Sequence, residues 1–215
     1  MNELRDRRLV IGDEISPQAQ AYKMLRTQVL QRIRSSNWNN MAIVSPDRGS
    51  GKSLTAANLA ISLAREVRHT VLLVDMCLRE PNMHALFGYP AMAGLTEYLT
   101  QDHPLNALLF NPGIERLVVL PGGTPVINSS DLLSSPRMTR LVTELKTRYP
   151  ERIVIFDLPP VLSGDDVLAF IPQVDASLLV VEEGRTSRED LERSTELLST
   201  RPSLGVVLNK SLSST

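Results

Sequence analysis

The stretch Ser45-Pro46-Asp47-Arg48-Gly49-Ser50-Gly51-Lys52-Ser53 sets two glycines, a lysine and a hydroxyl where a phosphate chain can be held. Glycine tolerates the backbone angles that turn successive N–H groups inward around phosphate oxygens. A helix following such a loop aims its positive end at the same anion. Lys52 has the reach to meet the β- and γ-phosphates, and the Ser53 hydroxyl can ligate Mg²⁺. One feature departs from the standard pattern: Pro46 stands where its first glycine belongs. A glycine-rich turn with an incidental lysine is the bland alternative. The Gly-x-Gly-Lys-Ser core between a strand-like and a helix-like run favours the phosphate loop, and with it ATP or ADP and Mg²⁺ as ligands.

Two aspartates follow apolar runs, in Val71-Leu72-Leu73-Val74-Asp75 and Ile153-Val154-Ile155-Phe156-Asp157. A hard cation such as Mg²⁺ takes carboxylates and water, and a carboxylate can also orient an attacking oxygen. A polar residue that merely ends a strand is common. Two such ends beside a phosphate loop point to chemistry, with Asp75 and Asp157 as acids near the metal.

Positioning these groups requires a particular alternation of elements. Met41–Val44, Thr70–Val74, Arg116–Leu120, Arg152–Phe156, Ala176–Val181 and Leu204–Leu208 read as strands, and Thr70–Val74 and Arg116–Leu120 are continuous apolar runs of the kind buried on both faces. Between them, Leu54–Ala64, Met138–Thr147 and Arg188–Leu198 read as helices. Ser16-Pro17 reads as an N-cap with proline at the first helical position, opening a helix to about Ile33. Strands alternating with helices imply an α/β fold, with a mostly parallel central sheet and helices on both faces. Ligands of such sheets bind beyond the carboxyl ends of the strands. Residues 1–15 read as an N-terminal arm and 16–215 as a single domain.

Composition narrows the function classes. The formal net charge of −1 argues against nucleic-acid binding driven by bulk charge. Trp38 and the other aromatics are too sparse to suggest base stacking. One cysteine, Cys77, allows no internal disulfide and fits a reducing compartment. No secretory signal and no apolar run near the ~20 residues of a membrane helix is visible. A cytoplasmic protein is expected, peripheral to the inner membrane only through a partner. His69, His84 and His103 are isolated from one another and from other metal ligands, and Asp165-Asp166 reads as the cap of a helix starting near Val167.

The run Val71-Leu72-Leu73-Val74-Asp75-Met76-Cys77-Leu78-Arg79-Glu80-Pro81 resembles the second Walker-type motif of bacterial tyrosine autokinases, the kinases of capsular and exopolysaccharide synthesis. The resemblance continues, in order, through Leu120-Pro121-Gly122-Gly123, Asn128-Ser129-Ser130-Asp131-Leu132-Leu133, Phe156-Asp157-Leu158-Pro159-Pro160 and Val207-Leu208-Asn209-Lys210. It implies a P-loop NTPase fold of the deviant-Walker type and an ATP-dependent tyrosine kinase. It also implies a membrane-bound chain-length-determinant protein as partner. By position, Arg48, Gly49, Ser50, Gly51, Lys52, Ser53 and Leu54 would hold the nucleotide. Ser53, Asp75 and Asp157 would hold Mg²⁺, with Lys52, Asp75 and Asp157 catalytic. Asn209 would read the adenine edge or, alternatively, cap a turn.

Three departures accompany the resemblance. The family carries an aspartate two residues after Asp75, where this chain has Cys77. Family members usually carry a terminal tyrosine cluster; here Tyr22, Tyr89, Tyr98 and Tyr149 stand apart. The family's oligomerisation signature is a glutamate and two arginines at three-residue spacing, and those places hold Gln20, Lys23 and Arg26. Lysine cannot reproduce the bidentate fork of arginine, so a weak homo-oligomer at most is expected. A regulatory ATPase, or a nucleotide-binding scaffold of the same pathway, is the alternative reading.

Overall fold

The computed structural model describes residues 7–11 and 15–211. Six strands form one sheet: β1 (Asn40–Val44), β2 (Thr70–Asp75), β3 (Leu117–Leu120), β4 (Arg152–Asp157), β5 (Ala176–Glu182) and β6 (Ser203–Asn209). Their order is β3-β2-β4-β1-β5-β6 and every pairing is parallel. The expected α/β architecture is therefore present, with a sheet that is parallel throughout.

Alternation along the strands divides the core into two layers. Leu72, Val74, Val154 and Phe156 face one side, and Val71, Leu73, Ile153 and Ile155 the other. A strand buried on both faces needs apolar side chains at every position, which is why these runs lack polar alternation. The second side is covered by α1 (Pro17–Ser36) and α2 (Lys52–Ala64). Three short helices follow β2: α3 (Met83–Leu86), α4 (Leu95–Thr100) and α5 (Leu105–Leu108). The first side packs against α6 (Ser129–Leu133), α7 (Pro136–Thr147), α8 (Asp166–Phe170) and α9 (Arg188–Leu198).

The helix starts follow their local chemistry. Ser16 accepts a hydrogen bond from Ala19 N with Pro17 next in line, and Ser135 and Ser187 cap α7 and α9 the same way. Helix α2 has no such cap. It begins at Lys52 directly from Gly51, leaving its first N–H groups to the phosphate loop. Residues 7–11, read from sequence as part of an arm, pack on the domain. Leu9 and Val10 are buried, and Val10 N donates to Asn58 Oδ1 in α2. The rest of that arm, 1–6 and 12–14, lies outside the described residues.

Candidate active site

The site lies beyond the carboxyl ends of β1, β2 and β4. Asp75 and Asp157 are register partners at the ends of two adjacent parallel strands, so their carboxylates stand side by side. Ile43 pairs Asp157 on the other side, which brings the loop after β1 to the same height.

That loop is bent by Gly49 and Gly51, with φ of +86° and +82°. Gly51 has no room for a side chain: a Cβ there would lie 2.2 Å from Asn209 Nδ2. Asn209 uses that amide to hold Ser50 O at 2.8 Å, and Lys210 Nζ holds Gly49 O at 2.8 Å while pairing with Glu182. With its carbonyls taken from behind, the loop keeps its N–H groups for a phosphate chain. Asn209 thus stands at the back of the loop.

Lys52 is almost buried, and its ammonium lies 2.6 Å from Asp157 Oδ1, 3.2 Å from Ser53 Oγ and 3.5 Å from Cys77 Sγ. Burial opposes the lysine's charge, but its neighbours together, Asp157 foremost, outweigh it and hold the pKa above its ordinary value. Asp75 is fully buried and accepts from three backbone donors: Cys77 N at 3.0 Å, Asn82 N at 3.0 Å and Met83 N at 2.9 Å. Burial and the neighbouring Asp157 push its carboxyl up, against those hydrogen bonds. Burial likewise pushes the Cys77 thiol up, so sulfur sits here as a neutral thiol.

Gly122, in the turn after β3, lets this arrangement close. A Cβ there would lie 2.7 Å from Pro81 Cβ and 3.4 Å from Asp75 Cγ. Glu97 of α4 fastens the same turn, accepting from Gly94 N at 2.6 Å and Thr124 N at 3.1 Å. Burial alone would raise the Glu97 carboxyl, but its bonds from Thr124 and Gly94 hold it below its ordinary value.

A cavity of about 790 Å³ opens over these groups. Arg48, Gly49, Gly51, Lys52, Ser53 and Leu54 line it. Arg48 is exposed there and pairs with Glu80 at 2.6 Å. Asp75 and Asp157 are 0% exposed, below its floor. Asp75, Cys77 and Asp157 each bring a ligand atom within 4.8 Å of the others. The Lys52 ammonium stands among them, a cation held where carboxylates and the Ser53 hydroxyl converge. That donor set suits a hard divalent cation, except for its sulfur.

Other members were not legible from the sequence. Arg79 Nε donates to Ser129 Oγ and to Asp166 Oδ2, joining the loops after β2, β3 and β4. A helix starts where the sequence reading placed it, with Asp165 at the N-cap position of α8, but neither carboxylate makes a cap hydrogen bond, and Asp166 is turned toward Arg79 and Ser129. A positive guanidinium outcompetes a neutral N–H for a nearly buried carboxylate. Arg7, from the N-terminal segment, also lines the cavity.

The sheet order, the bent loop and the lysine at a helix start define a P-loop nucleotide-binding domain. In agreement, the family described as CobQ/CobB/MinD/ParA nucleotide binding domain matches residues 41–214. The septum site-determining protein MinD from Pyrococcus horikoshii OT3, complexed with Mg-ADP, superposes with a TM-score of 0.67 at 22% identity, covering 81% of this chain and 72% of that one; it shows the fold alone. Tyrosine-protein kinase YwqD of Bacillus subtilis (strain 168) is 34% identical over 193 residues, 89% of this chain and 80% of that protein. The kinase domain of Escherichia coli tyrosine kinase ETK superposes with a TM-score of 0.86 at 28% identity, covering 95% of this chain and 81% of that one. Within the nucleotide-binding class, the chain belongs to the bacterial tyrosine-protein kinases. Among the described residues, no helix is long and apolar enough to cross a membrane.

Proposed function

We propose that this chain is an ATP-dependent tyrosine kinase that regulates capsular or exopolysaccharide synthesis. The observation that carries the proposal is the meeting of Lys52, Ser53, Asp75 and Asp157 at the mouth of the phosphate loop. Gly49 to Leu54 bind the phosphates, and Arg48 stands at the rim. When Mg-ATP enters, Lys52 exchanges Asp157 for the β- and γ-phosphates. Ser53, Asp75 and Asp157 are the residues that would hold Mg²⁺, which neutralises charge on the phosphates when bound. The tyrosine oxygen bonds to the γ-phosphorus, the bond to the β–γ bridging oxygen breaks, and ADP leaves. The hydroxyl proton passes to Asp75, whose position is fixed by its three backbone donors. Asn209 and Lys210 keep the loop's shape from behind, and Asn209 is placed to meet the base only if its amide leaves Ser50 O.

The partner in this reading is a membrane-bound chain-length-determinant protein, which would hold a cytoplasmic kinase at the inner membrane. The domain that does the chemistry is 16–215, with Arg8 and Val10 of the preceding segment hydrogen-bonded to Asn58 of α2. Cys77 favours a second reading, a regulatory ATPase. Incubation with γ-labelled ATP and mass spectrometry separate the two. The kinase reading expects label on tyrosine of this chain or its partner. Release of free phosphate with no phosphotyrosine, even with the partner supplied, would favour the ATPase.

A further inference from the structure

Arg79 leaves the loop after β2 and is anchored from both neighbouring strand ends. Its Nε–H is shared between Ser129 Oγ at 2.8 Å and Asp166 Oδ2 at 3.2 Å. Ser129 donates in turn to Asp166 Oδ1 at 2.6 Å. Ser129 and Asp166 are buried, one at the start of α6 after β3, the other at the start of α8 after β4. A buried carboxylate satisfied on both oxygens makes a rigid anchor.

The outer edge of the guanidinium is a different matter. Among the described residues neither Nη nitrogen makes a hydrogen bond; Nη2 lies in an ion pair with Asp165 at 3.7 Å, and that carboxylate is 69% exposed. The arginine side chain keeps 45% of its own exposure. A planar fork tied down at Nε, with Nη1 making no hydrogen bond among the described residues and Nη2 only loosely paired, is pre-organised for bidentate recognition of a carboxylate.

Its surroundings indicate which carboxylate. Arg79 lines the nucleotide cavity and also a second one of about 300 Å³, whose other walls are Pro125, Val126 and Ile127. Ile127 is 89% exposed, an apolar side chain left at the surface. The phosphate loop leaves β1, with β4 between it and β2. Arg79 and the apolar wall therefore stand on the β2 side of the cavity, away from the strand that leads into the phosphate loop.

We propose that Arg79 is a specificity-determining residue of the acceptor subsite. Its Nη edge receives an acidic side chain next to the reacting tyrosine, and Pro125–Ile127 receives an apolar neighbour. The incoming carboxylate displaces the loose pairing with Asp165. The inference rests on the kinase reading, so its test uses binding, which needs no phosphoryl transfer.

The probes are two peptides with phenylalanine in place of the acceptor tyrosine, differing only in Glu or Gln beside it. Fluorescence anisotropy with the full chain and Mg-ADP is expected to show the Glu peptide binding about tenfold tighter, as a charge-assisted bidentate pair allows. Arg79→Gln is expected to erase the preference, and Arg79→Lys to keep only part of it. Because Arg79→Gln strands the Asp166 charge, the double variant Arg79→Gln/Asp166→Asn guards against misfolding and is expected to show no preference either. Equal binding of the two peptides to the unaltered chain, or a preference that survives in the double variant, overturns the proposal. So does a loss of Mg-ADP affinity in Arg79→Gln as large as the loss of peptide affinity. If tyrosine versions of the peptides bind with the Glu preference but take no label from ATP, the kinase reading fails while the subsite stands.

Discussion

Lys52 and Asp157 form a buried pair that each needs for a different reason. The lysine is pre-charged for phosphate, and the aspartate, fully buried, has the ammonium 2.6 Å away. Removing one member of a buried pair leaves the other uncompensated, at about 3–5 kcal/mol. Lys52→Met is therefore expected to lower stability by an amount of that order in the absence of nucleotide. Lys52→Met/Asp157→Asn should recover most of it, and chemical denaturation of the two variants checks this. Cys77 is the residue whose type departs most from its setting. An aspartate there would add a hard oxygen beside Asp75 and Asp157, where a neutral thiol offers none. Cys77→Asp is expected to raise turnover at limiting Mg²⁺ severalfold and to leave ADP affinity little changed, as read from steady-state kinetics over a magnesium titration. Flat or lower turnover would show that Cys77 has a role of its own.

At the scale of elements, the turn after β3 packs against Asp75 without lining the nucleotide cavity. Glu97 holds Gly94 and Thr124, and the turn in between packs Gly122 against Asp75 and Pro81. Its carboxyl is held below its ordinary pKa, so its stabilisation is present above the unfolded-state value and is lost as pH falls through the folded one. Glu97→Gln is expected to cost about 1.5–3 kcal/mol at neutral pH, the worth of hydrogen bonds to a charged acceptor. The difference from the unaltered chain should shrink in acid, and thermal unfolding across pH measures it. Elements were the most legible part of the sequence. The strand runs and the capped start of α1 follow from apolar patterning and a Ser-Pro pair, which are local signals; the sequence reading of α7 begins only at Met138 and misses its Ser135-Pro136 start. The short helices α3 to α6 were not read as helices, because four to six residues give too few turns for a period to show. In the site, the loop and the two strand-end acids were legible because each is written in consecutive residues. The Arg79–Ser129–Asp166 contact was not, since its members are 50 and 87 residues from Arg79 and meet only through the strand order β3-β2-β4. Asn209 was singled out by its place after the last strand, but only the folded chain brings it behind Gly51.

For the whole molecule, one face of α1 bears on how copies assemble. Gln20 and Lys23 stand where the family signature has a glutamate and an arginine, and Arg26 spends a guanidinium hydrogen bond on Ser62 O of α2 at 3.0 Å. A surface lacking one carboxylate and one fork, with its remaining arginine tied inward, has little left for charged pairing between copies. Light scattering at micromolar concentration is expected to find monomers or small oligomers. A salt-resistant ring would show that another surface does the work.

The catalytic expectations rest on the loop from Ser45 to Ser53 receiving the phosphates and on Lys52 meeting them. Titration calorimetry of Mg-ADP into the unaltered chain and Lys52→Ala tests that directly. A phosphate contact made by the nearly buried Lys52 ammonium predicts an affinity loss of about tenfold to a hundredfold, since charge-assisted hydrogen bonds contribute about 1.5–3 kcal/mol. Circular dichroism before the titration confirms that the variant is folded. Equal affinity in the two proteins, or no binding to either, would contradict the account.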